Sequence, residues 1–402
     1  MRVALVHDWL FHMRGGEKCL AAIAEMFSEP DIYCLFYRPG KIAPEIASKK
    51  IISSSLNRLP FVEKYYRYLL PLYPRAIKNL ESKLAAAHAE NPYDLVISIS
   101  HCAAKNIKVP AGIFHLCYCL TPMRYIWDQY NNYFGRKFYE PLLRPIISRL
   151  RTWDVRAAAG VNQFVAISSF VKERIDTYYG AGAKVIYPPV DTSWIETKRP
   201  DKKSIAAQSP NAPFICVNAL VPYKNVHIVV EAFNELKLPL VIVGEGPEKK
   251  FLKKMSGNTI KFIDYLSELE LAKLYASARA LVFAAEEDFG MIPVEAQAAG
   301  TPVICLRKGG VLETVNCDNK NPTGIFFNEL SKPAIVWAVK EFIQRENEFK
   351  IEDCVSNSQN YSPEKFEGEF LQLRSLLMVN EHRRNVPFGQ DRPKAEFPKT
   401  GK

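Results

Sequence analysis

The sequence lacks the patterns that mark a membrane-spanning chain or a site built from cysteines. No apolar run approaches the roughly 18 residues of a transmembrane helix, so no membrane span is predicted. No C-x-x-C pair occurs, and the nine cysteines are an odd number spread through apolar stretches. Cys117 and Cys119 would share one face of a strand, but no neighbouring His or Cys completes a metal site. We therefore expect buried, free thiols in a reducing cytoplasm.

Two ligand-binding signatures are also absent. No D-x-D pair of aspartates, which would hold a divalent cation, occurs anywhere in the chain. The stretch VGEGPE at residues 243–248 contains G-x-G without a third glycine, so it does not predict a dinucleotide-binding turn. The sequence accordingly predicts neither a bound metal nor a dinucleotide cofactor.

The chain does have a surplus of positive charge and enough apolar residues for two cores. Its 402 residues include 53 Lys and Arg against 43 Asp and Glu, a net charge of +10. That charge favours an anionic partner and leaves open a nucleic acid, an anionic membrane surface or a phosphorylated substrate. Hydrophobic residues make up 48% of the chain, as in a globular protein. The start, MRVALVHDW, is charged too soon for a signal peptide and is interpreted as a first β-strand.

Short β-branched runs alternate with amphipathic segments, which predicts parallel sheets built from βαβ units. One series runs from RVALVH to KVIYPP and a second from PFICVNA to PVICL, with a Pro-, Lys- and Ser-rich linker at 188–213. The predicted fold class is α/β, with two doubly wound, Rossmann-like domains facing each other across a cleft. The domains are expected at residues 1–195 and 196–360. A C-terminal helix at 361–380 would pack back on the first domain, and a polar tail at 381–402 would be flexible.

The stretch EEDFGMIPVEAQAAG, residues 286–300, places acids where a buried strand ends. We expect a helix to begin near Pro293, with Glu295 in its first turn and Glu287 and Asp288 on the preceding loop. One interpretation is helix capping and stabilisation of the helix dipole. The other is that the acids point into the cleft and bind hydroxyl groups, beside hydrogen-bond donors from the backbone. Those donors would be the amides of Asp288, Phe289 and Gly290.

Three further positions have both an ordinary and a functional interpretation. The GGEK stretch beginning at Gly15 and Gly16 is either a glycine start of a helix or a loop that approaches an anion. Lys224, after the first strand of the second domain, is either a surface lysine or a diphosphate ligand. His101, after the strand DLVISIS, is either a polar loop residue or a functional histidine.

Taken in order, these motifs resemble the retaining glycosyltransferases of family four, which have the GT-B fold. The resemblance extends over roughly residues 1–375 and rests on HDW with GGEK, SISHCAAK, CYCLTPMRYIWD, YPPVD, LVPYK, VGEGPE and the acidic stretch. The wording of CYCLTPMRYIWD and LVPYK is most similar to mannosyltransferases of bacterial O-antigen and polysaccharide synthesis. The resemblance implies metal-independent transfer of mannose from GDP-mannose to a glycan or lipid-diphosphate-linked acceptor.

The resemblance also implies a role for individual residues. His101, Glu287 and Lys224 become the catalytic candidates, contacting the reacting sugar and the diphosphate. The donor-binding candidates are Gly15, Gly16, Glu245, Asp288, Phe289, Gly290, Glu295, Gly309 and Gly310. Glu295 would hold the ribose hydroxyls, and the glycine pairs would hold the diphosphate. The acceptor-side candidates are Asp8, Arg124 and Trp127.

Two positions depart from the family pattern. Ala219 stands where an Arg usually precedes LVPYK and shares the diphosphate charge with the lysine. Leu120 stands where the branch usually has His. Arg307 or Lys308 is a candidate for the missing charge. The departures also motivate an alternative, a catalytically weakened relative that binds a nucleotide sugar or a nucleic acid without turnover.

The segment from Lys49 to Lys78 is basic and aromatic. It contains seven Lys and Arg against one acid, interleaved with four tyrosines and one Phe. Three interpretations remain open: a pair of helices with core aromatics, a surface for anionic lipid, or a nucleic-acid surface. We expect a cytoplasmic protein, with peripheral attachment to the inner face of the plasma membrane if the lipid interpretation holds.

Overall fold

The computed structural model describes residues 1–134, 140–196, 212–318 and 320–383. The predicted tail therefore lies outside the described residues from 384 onward, as does the middle of the predicted linker. The last helix runs to Arg383, beyond its predicted end at 380. Among the described residues, no helix combines the length and apolar character that crossing a bilayer requires.

The first sheet has seven parallel strands in the order β3-β2-β1-β4-β5-β6-β7. Its strands are β1 Val3–Leu10, β2 Asp31–Tyr37, β3 Ile51–Ser53, β4 Leu95–Ser100, β5 Phe114–Cys119, β6 Gln163–Ala166 and β7 Ala183–Val185. Every residue of β1, β4 and β5 is buried, because helices cover both faces of the sheet. Continuous apolar runs such as VALV are thus the sequence signal of these central strands.

The second sheet has six parallel strands in the order β10-β9-β8-β11-β12-β13. Its strands are β8 Phe214–Val217, β9 Leu240–Val243, β10 Ile260–Ile263, β11 Leu281–Phe283, β12 Val303–Leu306 and β13 Gly324–Phe327. Two parallel, doubly wound sheets confirm the predicted fold class.

The α-helices lie between and after these strands. In the first half they are α1 Gly15–Glu25, α2 Pro44–Ala47, α3 Tyr73–Glu90, α4 Tyr130–Tyr133, α5 Glu140–Ala158, α6 Ser169–Tyr179 and α7 Ser193–Glu196. In the second half they are α8 Val226–Leu236, α9 Lys249–Met255, α10 Glu268–Ser277, α11 Met291–Ala298, α12 Val311–Thr314, α13 Lys332–Gln344, α14 Ile351–Ser358 and α15 Pro363–Arg383. Short 3₁₀ turns occur at Ser55–Arg58, Val62–Lys64, Tyr66–Leu72, Ala104–Asn106, Pro222–Lys224, Glu346–Glu348 and Gln359–Tyr361.

The strand order of each sheet reverses direction at one place. In the first sheet the reversal lies between β1 and β4, and in the second it lies between β8 and β11. Ligands of such sheets bind outside the carboxyl ends of the strands at this switch point. The loops after these four strands are therefore the expected walls of a site.

Helix α15 returns from the second domain to the first sheet. Phe366 and Phe370 are buried in the same core as β5, with their rings 5.6 and 6.2 Å from the ring of Tyr118. The preceding turn is joined to the first domain as well, since Val190 donates its N–H to the carbonyl of Tyr361 at 2.8 Å. The chain therefore passes twice between the domains.

We predict that Phe370→Ala lowers the free energy of unfolding by about 3–5 kcal/mol, because it opens a cavity in the first-domain core. The matched control is Phe251→Ala, where the ring is 56% exposed and the expected change is within about 0.5 kcal/mol. Urea denaturation measures both. Equal, small effects would mean that α15 does not contribute to the first-domain core.

Candidate active site in the interdomain cleft

Asp8, near the end of β1, organises the loop after β4. Its side chain is fully buried and accepts hydrogen bonds from four successive backbone N–H groups, His101 to Ala104, at 2.6–2.8 Å. Burial raises the pKa of Asp8, but the nearby His101 and His7 and the amide donors outweigh it and hold the pKa below its ordinary value. Asp8 thus lies beneath the loop and holds it in place, whereas the resemblance assigned it to the acceptor side.

His101 lies at the switch point of the first sheet. Its ring is mostly buried, makes an edge contact with Trp9 at 4.4 Å, and has Nδ1 3.2 Å from an Asp8 carboxylate oxygen. Burial lowers the pKa of His101 to about 4 despite the attraction of Asp8. The imidazole is therefore neutral at physiological pH and suits hydrogen bonding to a polar ligand better than proton donation.

The two glycines at the start of α1 leave room for neighbouring elements. A Cβ at Gly15 would lie 2.9 Å from the Met291 sulfur of the second domain, and one at Gly16 would lie 2.9 Å from Leu120 Cδ1. Gly16 also faces His7, whose Cε1 would be 3.5 Å away. Leu120, one of the two departures, thus packs against the glycine loop as a buried apolar residue.

The acidic stretch follows β11 at the switch point of the second sheet. Helix α11 begins at Met291, earlier than the predicted start near Pro293, so Glu295 lies in the second turn and the first turn contains no acid. Tyr275 donates its hydroxyl to Glu295 at 3.2 Å. Burial raises the pKa of Glu295. With no acid in the first turn, the capping interpretation fails for Glu295.

The glycines after β12 contact the backbone of residues 286–290, the loop before α11 that we call the acidic loop. Gly309 has φ +84°, and a Cβ there would lie 2.5 Å from the carbonyl oxygen of Glu287. A Cβ at Gly310 would lie 2.3 Å from Phe289 Cα. The Gly310 N–H donates to the Glu287 carbonyl at 2.8 Å. Only glycine allows this close approach, which fixes the Glu287–Asp288 backbone next to the start of α12.

Glu287 and Asp288 both bind cations in the cleft. Lys224, from the 3₁₀ turn after β8, forms an ion pair with Glu287. Arg124, from the first domain, contacts an Asp288 carboxylate oxygen at 2.7 Å. Arg174, on α6, contacts the other Asp288 oxygen at 2.5 Å. The acidic loop is thus neutralised from both domains.

Burial, together with the charge of Arg124, lowers the pKa of Lys224 to about 8. The interaction with Asp288 acts in the opposite direction. Lys224 and Arg124 thus influence each other electrostatically, although they come from different domains.

The two arginines and the acids of the loop line one pocket between the domains, and Tyr223, the neighbour of Lys224 in the chain, lines it as well. The residues around it are Arg124, Asp128, Gln129, Tyr133, Arg174, Tyr223, Glu286, Glu287 and Asp288. The sequence reasoning did not single out Arg174 or Tyr223. Arg174 belongs to an amphipathic helix whose sequence carries no binding signature, and only the packing of α6 turns it toward the loop.

Phe289 belongs to the domain junction, not to the pocket wall. Its ring is 3% exposed and lies 5.8 Å from Tyr187 and 5.3 Å from Tyr361. Glu313, near the same junction, accepts hydrogen bonds from Ser169 and Tyr187. Phe289 therefore ties the acidic loop to the segments that pass between the domains.

Of the predicted site residues, Arg124, Glu287 and Asp288 line this pocket, whereas Trp127 and Glu245 have their contacts elsewhere. The Trp127 indole donates to the buried Asp154 at 2.9 Å and stacks on Tyr178 at 4.6 Å. Glu245 is exposed on the loop after β9, where its carbonyl accepts the N–H of Leu220. The described contacts of Trp127 are therefore with residues of the first domain. No described contact links Glu245 to the cleft residues.

Two family models match consecutive parts of the chain. The model described as Glycosyltransferase Family 4 matches residues 14–194, and the model described as Glycosyl transferases group 1 matches residues 197–360. Models of glycosyltransferases therefore match both halves of the chain, and the Family 4 model matches the first half.

Similar curated proteins include two mannosyltransferases. A GDP-mannose-dependent alpha-(1-6)-phosphatidylinositol monomannoside mannosyltransferase of Mycobacterium tuberculosis is 27% identical, over 50% of this chain and 56% of its own. A GDP-mannose-dependent alpha-mannosyltransferase of Corynebacterium glutamicum is 35% identical, over 30% of this chain and 32% of its own. The chain spans about half the length, or less, of these curated relatives.

Solved structures share the fold at low sequence identity. HepE of Anabaena in complex with UDP matches with a TM-score of 0.67 at 16% identity, covering 93% of this chain and 100% of the other. Sucrose-phosphate synthase of Thermosynechococcus elongatus matches with a TM-score of 0.68 at 15% identity, covering 94% and 100%. Both likenesses confirm the two-domain GT-B architecture.

We predict that Asp8→Asn lowers the free energy of unfolding by roughly 2–6 kcal/mol, because an amide NH₂ faces two buried N–H donors that then lack an acceptor. The control is Asp94→Asn, at an exposed carboxylate that accepts one N–H from Arg2. Thermal unfolding at neutral pH compares the two. If both substitutions change stability equally, Asp8 does not hold the His101 loop.

Since the folded-state pKa of Asp8 is depressed, its contribution is present above its unfolded pKa and is lost as the pH falls through its folded pKa. The difference in stability between wild type and Asp8→Asn should therefore shrink in acid. A difference that grew with acidity would contradict the depressed pKa.

Proposed function

We propose that the protein transfers a sugar from a nucleoside diphosphate donor to a glycan or lipid-linked acceptor, with retention of configuration and without a metal. The observation that carries the proposal is the meeting of Lys224, the acidic loop and the Gly309–Gly310 pair at the switch point of the second sheet. Cations and backbone amides at such a point favour a diphosphate, and carboxylates favour hydroxyls. The glycosyltransferase models that match both halves of the chain support the reaction class.

Each part of the site has a role in this proposal. Glu295 binds the ribose hydroxyls, and Glu287 with the loop amides binds the sugar. Lys224 and the amides at the glycine pairs stabilise the negative charge that develops on the leaving diphosphate. The neutral His101 hydrogen-bonds the sugar or the acceptor. The leaving phosphate oxygen takes the acceptor proton, since we assign no described side chain of the cleft as a base.

We propose GDP-mannose as the donor. Two similar proteins are GDP-mannose-dependent mannosyltransferases, and the CYCLTPMRYIWD stretch resembles that branch, which supports this choice. UDP-glucose is the competing donor, because HepE is also solved with UDP-glucose. The departures at Ala219 and Leu120 favour a second candidate function, in which the protein binds the donor without catalysing transfer.

Incubation of the protein with GDP-mannose, UDP-glucose and related donors, followed by assay of released nucleotide, tests the proposal. We expect release from one donor, stimulated by a lipid-diphosphate-linked saccharide and unchanged by EDTA. Binding without release would favour the weakened relative. Loss of release in EDTA, restored by a divalent cation, would contradict metal independence.

We predict that Glu295→Ala weakens donor binding about tenfold or more, because the ribose hydroxyls lose their hydrogen bonds to the carboxyl group. Tyr275→Phe is the matched control, since it removes the Glu295 partner and keeps the carboxylate. Calorimetric titration of the donor nucleoside diphosphate measures both variants. Unchanged affinity in Glu295→Ala, with the fold intact, would remove Glu295 from the ribose site.

We further propose that the first domain attaches reversibly to anionic membrane through the segment from Lys49 to Lys78. Within it, Tyr66 and Tyr73 are buried core residues, whereas Phe61 and Tyr68 are 67% and 82% exposed. Lys64 Nζ lies 5.4 Å above the Phe61 ring. The segment therefore combines core aromatics with an exposed surface of aromatic and basic side chains, which suits the membrane interface.

We predict binding to anionic vesicles that falls steeply with salt without vanishing, since each exposed base near the leaflet contributes about 1 kcal/mol and aromatic insertion is insensitive to salt. Arg75→Ser with Lys78→Ser should remove most of the salt-sensitive part. Lys250→Ser with Lys254→Ser on α9 is a control of equal charge loss. Vesicle co-sedimentation over a salt series measures the effects.

Equal pelleting with neutral and anionic vesicles, or none with either at low salt, would contradict membrane attachment. Tighter binding to RNA than to vesicles in the same buffer would favour the nucleic-acid interpretation of this segment.

A further inference from the structure

Among the described residues of the second domain, neither sequence candidate replaces the cation missing at position 219. Ala219 is exposed, five residues before Lys224. Of the two sequence candidates, Arg307 lies over the Phe326 ring at 6.0 Å, and Lys308 contacts Glu286 at 2.9 Å with 61% of its side chain exposed. Neither shares a described contact with Glu287 or Asp288.

The first domain, by contrast, extends a cation into the cleft. Arg124 contacts Asp288, the residue next to the Lys224 partner Glu287. It lines the same pocket as Glu287 and Tyr223, which precedes Lys224 in the chain. Lys224 and Arg124 therefore bind two adjacent residues, Glu287 and Asp288, from opposite domains.

Arg124 is also the arginine that is free to change partners. Its side chain is 33% exposed and contacts one carboxylate. Arg174 is 14% exposed and contacts three carboxylates, those of Asp128, Glu286 and Asp288. Asp288 would keep Arg174 if Arg124 left it. Redirecting Arg124 thus leaves no buried carboxylate without a cation.

We propose that Arg124 is the second diphosphate-binding cation, supplied across the cleft in place of the side chain missing at position 219. It exchanges the Asp288 carboxylate for a phosphate oxygen when the donor binds. This inference rests on the proposed function and replaces the acceptor-side role that the resemblance assigned to Arg124. A guanidinium suits the task, because its fork binds carboxylate and phosphate in the same bidentate geometry.

The role predicts a selective loss of affinity. Arg124→Ala should weaken binding of the nucleoside diphosphate by about ten- to a hundredfold, the value of one charge-assisted hydrogen-bonded contact. Binding of the nucleoside monophosphate should change far less, because the second phosphate is absent. Calorimetric titrations with GDP, GMP, UDP and UMP measure this difference, and thermal unfolding checks that the variant folds. Arg124→Lys should retain part of the preference for the diphosphate.

A rescue experiment separates this role from a structural one. Ala219→Arg should have little effect in the wild type, where Arg124 already supplies the charge, and should restore most of the diphosphate affinity in Arg124→Ala. The matched control is Arg144→Ala, an arginine of the same domain that is 71% exposed and pairs with Glu140. It should leave both affinities unchanged.

Equal diphosphate affinity in wild type and Arg124→Ala, with a raised KM for the acceptor, would overturn the inference and leave the proposed function standing. A loss in Arg124→Ala that Ala219→Arg does not restore would likewise assign Arg124 a structural role. If the wild type binds none of the four nucleotides, the proposed function and the inference both fail.

Discussion

The candidate site depends on how the acids after β11 are neutralised. A carboxylate pair in a partly buried cleft is costly unless cations face it. Here Lys224 faces Glu287 from the second domain, and Arg124 and Arg174 face Asp288 from the first. The same ion pairs connect the two domains and hold three cations next to the loop where a diphosphate would bind. The loop is therefore at once an interdomain contact and the centre of the proposed chemistry.

Much of this architecture could be predicted from the sequence, because the relevant signals are local. Continuous apolar runs predicted the central strands, and the alternation with helices predicted two parallel sheets. The strands that the pattern missed are the edge strands β3 and β13, which are three and four residues long. β3 lies in the stretch KKIISS. Because the strand is only three residues long and follows two lysines, its two isoleucines did not indicate a strand. The glycine pairs were also predictable, because close backbone approach requires glycine.

The partners of the charged residues could not be predicted, because they depend on how the domains pack. Asp8 was expected beside the acceptor, yet it caps four amides of the loop that carries His101. Trp127 was expected there too, yet it donates to the buried Asp154. Arg174 was not expected at all. A motif shows which charged or aromatic residue is present. It does not show whether that side chain contacts the ligand or supports another residue that does.

A crystal structure of the protein with its nucleoside diphosphate tests the central claim most directly. The account predicts that the diphosphate lies between the domains, with a phosphate oxygen within about 3 Å of Lys224 Nζ and the ribose beside Glu295. It also predicts that Lys224 has moved from Glu287 toward the phosphate. A nucleotide bound elsewhere, or one bound in the cleft with its phosphates away from Lys224 and the Lys224–Glu287 pair intact, would contradict the account.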